Sequence, residues 1–220
     1  MKSPTHTREP SDLSSSNLDS VAAARRERIL QATVTVMSEH GYRKATISRI
    51  AAAAGVPRTG FYVFFHNKED ALRAILANTD TQTCNKVQTA SASAESWPDR
   101  VYLGLRELLA FFSTRPQLAR VVFVEAQAAG SPVLGTVNDD IHYYARCFAS
   151  PPAIPRAKSG SAGAFTAQVF GAIYFRLYEA ITTGEVAALP DLLPEVIEIA
   201  LTPYIGGEGV QALLDTHRET

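Results

Sequence analysis

The chain has 220 residues, 46% of them apolar, 9% aromatic and 20% charged, enough material for one or two domains with a sizeable core. Lys and Arg number 21 against 22 Asp and Glu, a net charge of -1 that excludes only a uniformly basic protein. No apolar run approaches the roughly 20 residues that cross a bilayer, the Ser-rich start lacks the apolar stretch of a secretory signal, and Cys84 and Cys147, without CxxC spacing, argue against a disulfide framework or structural zinc, which makes a cytoplasmic setting the expectation.

Residues 1–19 read as a flexible tail. From Ser20, Ile29, Leu30, Thr33, Val34 and Met37 recur at helical spacing until Gly41 closes the segment. Thr46 is a suitable N-cap for a short second helix burying Ile47, Ile50 and Ala51 and running to Gly55, with Arg49 where a capping box would place Glu or Gln. Pro57 suits the first position of a third helix reaching Phe65, and Asn67 caps a fourth that starts with acids in its first turn and runs past Asn85.

Ser96-Trp97-Pro98-Asp99 starts a fifth helix, with Val101, Leu105, Leu108, Leu109 and Phe112 as its buried stripe, ended by Arg115-Pro116. A segment from Gln117 to Ala128 follows, then a helix from Ser131-Pro132 toward Phe148, and a loop over 149–163 marked by Pro and Gly. Two long apolar helices, Phe165 to Thr183 and Pro190 to Ile205, complete the chain, and Gly206-Gly207 reads as a C-terminal breaker. No stretch sustains a period of two, so the fold class expected is all-α.

Dividing the charge makes it informative. Residues 20–73 hold nine Lys or Arg against four acids, a charge of +5; everything after residue 73 carries -5. A basic head on an acidic body suggests that one end meets a polyanion. Two short helices around a Gly turn inside the basic segment are the sequence form of a helix-turn-helix, with the third helix as the reading helix.

The residues Thr46-Ile47-Ser48-Arg49-Ile50-Ala51, Ala54-Gly55-Val56 and Phe61-Tyr62-Val63-Phe64-Phe65-His66-Asn67-Lys68-Glu69-Asp70-Ala71-Leu72 resemble the DNA-binding domain of TetR-family transcriptional regulators over about residues 25 to 76. The resemblance implies a helix-turn-helix domain over 20–66 and a helical effector-binding and dimerisation domain over 67–220. It implies phosphate contacts from Thr46, Tyr62 and Lys68, with Arg25 added from the basic first helix, and base-edge contacts at the reading helix from Arg58, Thr59 and Gly60, Arg58 being suited to guanine. Two positions depart from the family pattern: Pro57 stands where Ser or Thr is usual, and Phe64 where His or Tyr is common. Phe64 is accordingly a candidate for a thymine methyl, and Phe61 and Phe65, four apart, read as core.

In the body, aromatic residues lie between the head and the last helices. Phe112, Phe123, Tyr143, Phe170 and Tyr174 are the candidates to line an apolar effector pocket, and Arg176 to meet a ligand carboxylate unless it pairs with Glu179. The two long apolar seams, with small residues at Ala167, Gly171, Ala172 and Ala200, suit a homodimer of the kind the resemblance implies. Asp139, Asp140 and His142 do not share a helix face well enough for a metal site. No local motif signals a catalytic residue, a metal or a cofactor. The expected function is a ligand-responsive homodimeric repressor of near-palindromic operator DNA. A DNA-binding regulator without effector, or a helical carrier or enzyme, are the alternatives.

Overall fold

The computed structural model describes residues 10–130, 133 and 162–218. The elements described are α1 (Pro10–His40), α2 (Ile47–Ala53), α3 (Arg58–Tyr62), α4 (Lys68–Ser91), α5 (Trp97–Ser113), α6 (Pro116–Arg120), a π-helical turn (Val121–Glu125), α7 (Ala126–Ala128), α8 (Ala162–Thr182), a 3-10 turn (Val186–Leu192) and α9 (Leu193–Arg218). All are helical, as expected for the all-α class. The expected helix over 131–148 apart from Val133, with Tyr143 and the group Asp139, Asp140 and His142, and the expected loop over 149–163 apart from Ala162 and Gly163, lie outside the described residues.

Local chemistry accounts for most boundaries. The Thr46 hydroxyl accepts the Arg49 amide at 3.3 Å, the Asn67 side chain accepts the Asp70 amide at 2.7 Å, and Ser96 Oγ accepts the Asp99 amide at 3.2 Å, so α2, α4 and α5 each begin on a side-chain cap. Gly55, at φ 64°, takes the left-handed conformation that turns the chain from α2 toward α3. Three boundaries differ from expectation. α1 starts at Pro10, ten residues before Ser20, a proline in first helical position costing no hydrogen bond. Pro57 is the extended N-cap of α3 and not its first residue, and α3 ends at Tyr62. Gly206 (φ 71°, ψ 170°) kinks α9 without ending it, and helix resumes to Arg218.

The head packs α2 against α1 and α3, while α4 leaves the head and runs along α1 and α5. α5 buries Val101, Tyr102, Leu105, Leu108, Leu109, Phe111 and Phe112, each large apolar side chain worth about 1.5–3 kcal/mol when removed from water. α9 closes the body against α5 and α8. Cys84, buried on α4, is disulfide-bonded, which corrects the expectation drawn from the cysteine spacing; Cys147 lies outside the described residues.

A polar clamp ties the end of α9 to the start of α5. His217 stacks on Tyr102 at 3.9 Å between ring centroids, its Nε2 lies 2.9 Å from Asp99 Oδ1, and the Ser96 hydroxyl donates to the other Asp99 oxygen. Hydroxyl and imidazole converge on one carboxylate, so the three residues form a clamp rather than a nucleophile–base pair. The Ser96 hydroxyl, then His217, hold the Asp99 carboxyl below its ordinary range. A depressed carboxylate stabilises the fold above the unfolded value and loses that contribution as pH falls through the folded one. Asp99→Asn is therefore expected to lower Tm at pH 7 and to converge on the parent in acid. Thermal melts at both pH values check this, and an equal gap at each contradicts it.

Candidate nucleic-acid interface and effector cavity

The head's core fixes which face of α3 is free. Phe61 is fully buried and Phe65 nearly so, their ring centroids 5.7 Å apart, and Arg26 of α1 lies 5.3 Å over the Phe65 ring. Phe61 and Phe65 therefore fix α3 in the core of the head, where it packs on α2, and the opposite edge carries Arg58, Thr59, Tyr62 and Val63, all exposed. Arg58 Nη2 donates to the Tyr62 hydroxyl at 3.3 Å one helical turn away, so the guanidinium is already held along the free edge. Gly60 is half-buried, and a Cβ there would stand 3.5 Å from Pro57 and Val56, ordinary contact distance.

The two phosphate-type candidates differ in freedom. Thr46 is exposed and uses its oxygen lone pair on the Arg49 amide, leaving the hydroxyl proton to donate. Lys68 is half-buried: Nζ donates to the Tyr42 carbonyl at 2.8 Å and sits 3.9 Å from the centre of the Tyr42 ring, which leaves two of three ammonium donors for another acceptor. Tyr42 in turn donates its hydroxyl to Glu69; burial, then this carboxylate, push the phenol well above its ordinary range. Arg25 is exposed on α1. Phe64 is half-buried and packed against the core, while its neighbour Val63 is 73% exposed. Val63, and the exposed Arg43 and Lys44 before α2, were not singled out by residue-type reasoning. Their charge or β-branch is ordinary, and only the fold puts them beside α3 and α2.

Residues 29–75 match the model of the bacterial regulatory proteins of the tetR family. The head belongs to the tetR family. Among curated relatives, the HTH-type transcriptional repressor SCO4008 of Streptomyces coelicolor is 28% identical over 123 residues, 56% of this chain and 60% of its own length. The fatty acid metabolism regulator protein of Bacillus subtilis is 24% identical over 117 residues, 53% of this chain and 60% of its own length. The matched stretch thus spans less than two thirds of either relative. Over 80% of this chain and 98% of the other, the fold is similar to that of the transcriptional regulator FadR from Bacillus subtilis in complex with stearoyl-CoA, at a TM-score of 0.69 and 20% identity.

In the body behind the tetR-type head, four sequence-selected aromatics come together. Phe112 and Phe123 meet edge to face at 5.0 Å, Phe123 and Tyr174 lie 5.0 Å apart, and with Phe170 they line a cavity of about 40 Å³ completed by Leu108, Ile173 and Leu177. The Tyr174 hydroxyl donates to the Phe123 carbonyl at 3.2 Å and accepts from Gln127 Nε2 at 2.8 Å, so its polar end is occupied and the cavity wall is apolar. Arg176 is not in this wall: its Nε donates to Glu195 of α9 at 2.7 Å, a partner nineteen residues on and not the expected Glu179. A second cleft, of about 410 Å³ and mixed lining, opens between α1, α4 and the α5–α6 turn, with Leu30, Val34, Ile75 and Leu118 beside Glu27 and Arg115 on its walls. Among the described residues no helix is long and apolar enough to cross a membrane, and no group of three metal-ligating side chains occurs.

Proposed function

We propose that the chain is a homodimeric transcriptional repressor that reads a near-palindromic operator with α3 and is released by a small, largely apolar effector. The observation that carries this reading is the free edge of α3, where Arg58, Thr59 and Tyr62 stand exposed on a head anchored by Phe61 and Phe65. Arg58 reads guanine, with Thr59 and Gly60 at the adjoining base edges; Val63, more exposed than Phe64, meets a thymine methyl. Thr46, Tyr62, Lys68 and Arg25 hold the backbone. Phe175, 59% exposed on α8 and stacked on Tyr178, supports a dimer face that includes α8; a two-fold operator requires the two reading heads one or more turns of about 34–36 Å apart.

The effector is assigned to the Phe112–Phe123–Tyr174 cavity by its apolar wall. At about 40 Å³ it is far smaller than the sites that hold whole small molecules, so rings must part to admit an effector. An acyl chain fits that wall, in keeping with the stearoyl-CoA bound by the structurally similar Bacillus subtilis regulator. The decisive experiment is selection of bound sites from random DNA, followed by gel shift with and without stearoyl-CoA and free stearic acid. Release by either supports the reading; DNA binding indifferent to both favours a regulator without an acyl effector. Absence of any selected sequence removes the DNA-binding reading itself.

The division of roles has its own test. Arg58→Ala is expected to cost about 1–3 kcal/mol and to relax preference at one base position, and Lys68→Ala to weaken all sequences alike. Binding measured on the selected site and on single-base variants distinguishes them, and identical profiles for the two variants refute the assignment.

A further inference from the structure

Among the described residues Glu125 is the one charged side chain in the buried set, 6% exposed. It closes the π-helical turn of the body, yet its carboxylate reaches the head: Oε2 accepts the Tyr42 backbone N–H at 2.7 Å across 83 residues of sequence, while Oε1 lies 3.3 Å from Arg120 Nε. Tyr42 stands in the turn between α1 and α2. A Cβ on neighbouring Gly41 would sit only 3.5 Å from the same Oε2. Burying a carboxylate is costly unless it is paired and hydrogen-bonded. Here that cost is met at a single backbone amide of the helix-turn-helix and one arginine.

Tyr42 is held on three further sides. Lys68 bonds its carbonyl and covers its ring, and Glu69 accepts its hydroxyl. A shift at the Tyr42 amide is therefore transmitted to Lys68, one of the phosphate-type cations. On the other side, the same five-residue turn carries Phe123, whose ring lines the apolar cavity and whose carbonyl accepts the Tyr174 hydroxyl. Residues two apart in a helical turn occupy different faces, so Phe123 faces the cavity while Glu125 faces the head. A single-turn π insertion is a recurrent feature of functional sites, because its wider ladder carries one extra residue that the regular helix on either side does not.

We infer that Glu125 is a positioning residue for DNA binding: through the Tyr42 amide it sets the turn that enters α2, and the π-helical turn passes displacement of Phe123 to that bond. The inference rests on the reading of α3 as a DNA-binding element and of the cavity as the effector site. It names the residue that joins them.

The test uses the full chain and amide hydrogen exchange at Tyr42, which needs neither DNA nor effector, alongside affinity for the operator selected by the parent chain. Glu125→Ala is expected to speed exchange at the Tyr42 amide by about tenfold or more, with α5 core amides such as Leu109 unchanged, and to weaken operator binding about tenfold. Glu125→Gln keeps an acceptor and is expected to recover most of both. Tyr174→Phe, which frees the Phe123 carbonyl without touching Glu125 and guards against misfolding of the alanine variant, is expected to speed Tyr42 exchange in the parent and to add nothing in Glu125→Ala. Unchanged Tyr42 exchange, an equal rise at Leu109, or additive effects of Tyr174→Phe and Glu125→Ala would each overturn the inference. If the parent selects no operator while the exchange pattern holds, the linkage stands and the DNA-binding reading fails.

Discussion

Phe61→Ala is expected to melt the head at a cost of about 3–5 kcal/mol, the range for emptying a fully buried aromatic site. Phe61 has no exposed surface, and its ring meets Tyr62 edge-on at 5.8 Å and Phe65 at 5.7 Å. α3 has five residues, too few to persist alone, so its place depends on the buried rings of Phe61 and Phe65. A loss of that size is a large fraction of the roughly 5–15 kcal/mol that stabilises a typical domain. Urea unfolding followed by exchange at α2, α3 and α5 amides measures it: the head amides lose protection before those of α5. A loss below about 1 kcal/mol would mean that the head is not built on Phe61.

Operator affinity is expected to fall about a thousandfold between 50 and 200 mM salt. With roughly three phosphates neutralised by each protomer of a dimer, about six ions are released and the log–log slope lies near -5. The exposed Arg25, Arg43, Lys44 and Arg58, with the two remaining donors of Lys68, supply the charge. Filter binding or fluorescence anisotropy across that salt range gives the slope directly. A slope near zero would contradict an electrostatic interface on the basic head, and a slope half as steep would point to one head engaged.

What could be read from sequence was the chemistry that acts over one turn. Thr46, Asn67 and Ser96 cap helices because a side-chain oxygen three residues ahead of a free amide meets it whatever the rest of the fold does. Phe61 and Phe65 read as core because their spacing of four puts them on one face. Long-range pairing was not legible. Arg176 found Glu195 across two helices in place of Glu179 on its own. Glu125, an acid after Val121-Val122-Phe123-Val124, carries no local signal of burial. Its burial depends on an amide 83 residues earlier and on an extra residue in the helical ladder, neither of which leaves a periodic signal. Pro57 misled by one residue, since extended backbone suits proline as well at the N-cap as the helix does one step later.

The small size of the Phe112–Phe123–Tyr174 cavity also sets a clock. An acyl-sized ligand exceeds the volume present, so its capture is expected to wait for a minor, widened population, and the apparent Kd is the intrinsic one divided by the fraction widened. Association then saturates with ligand concentration at the widening rate. Substitutions that thin the wall, such as Phe112→Leu, quicken the response and loosen selectivity together.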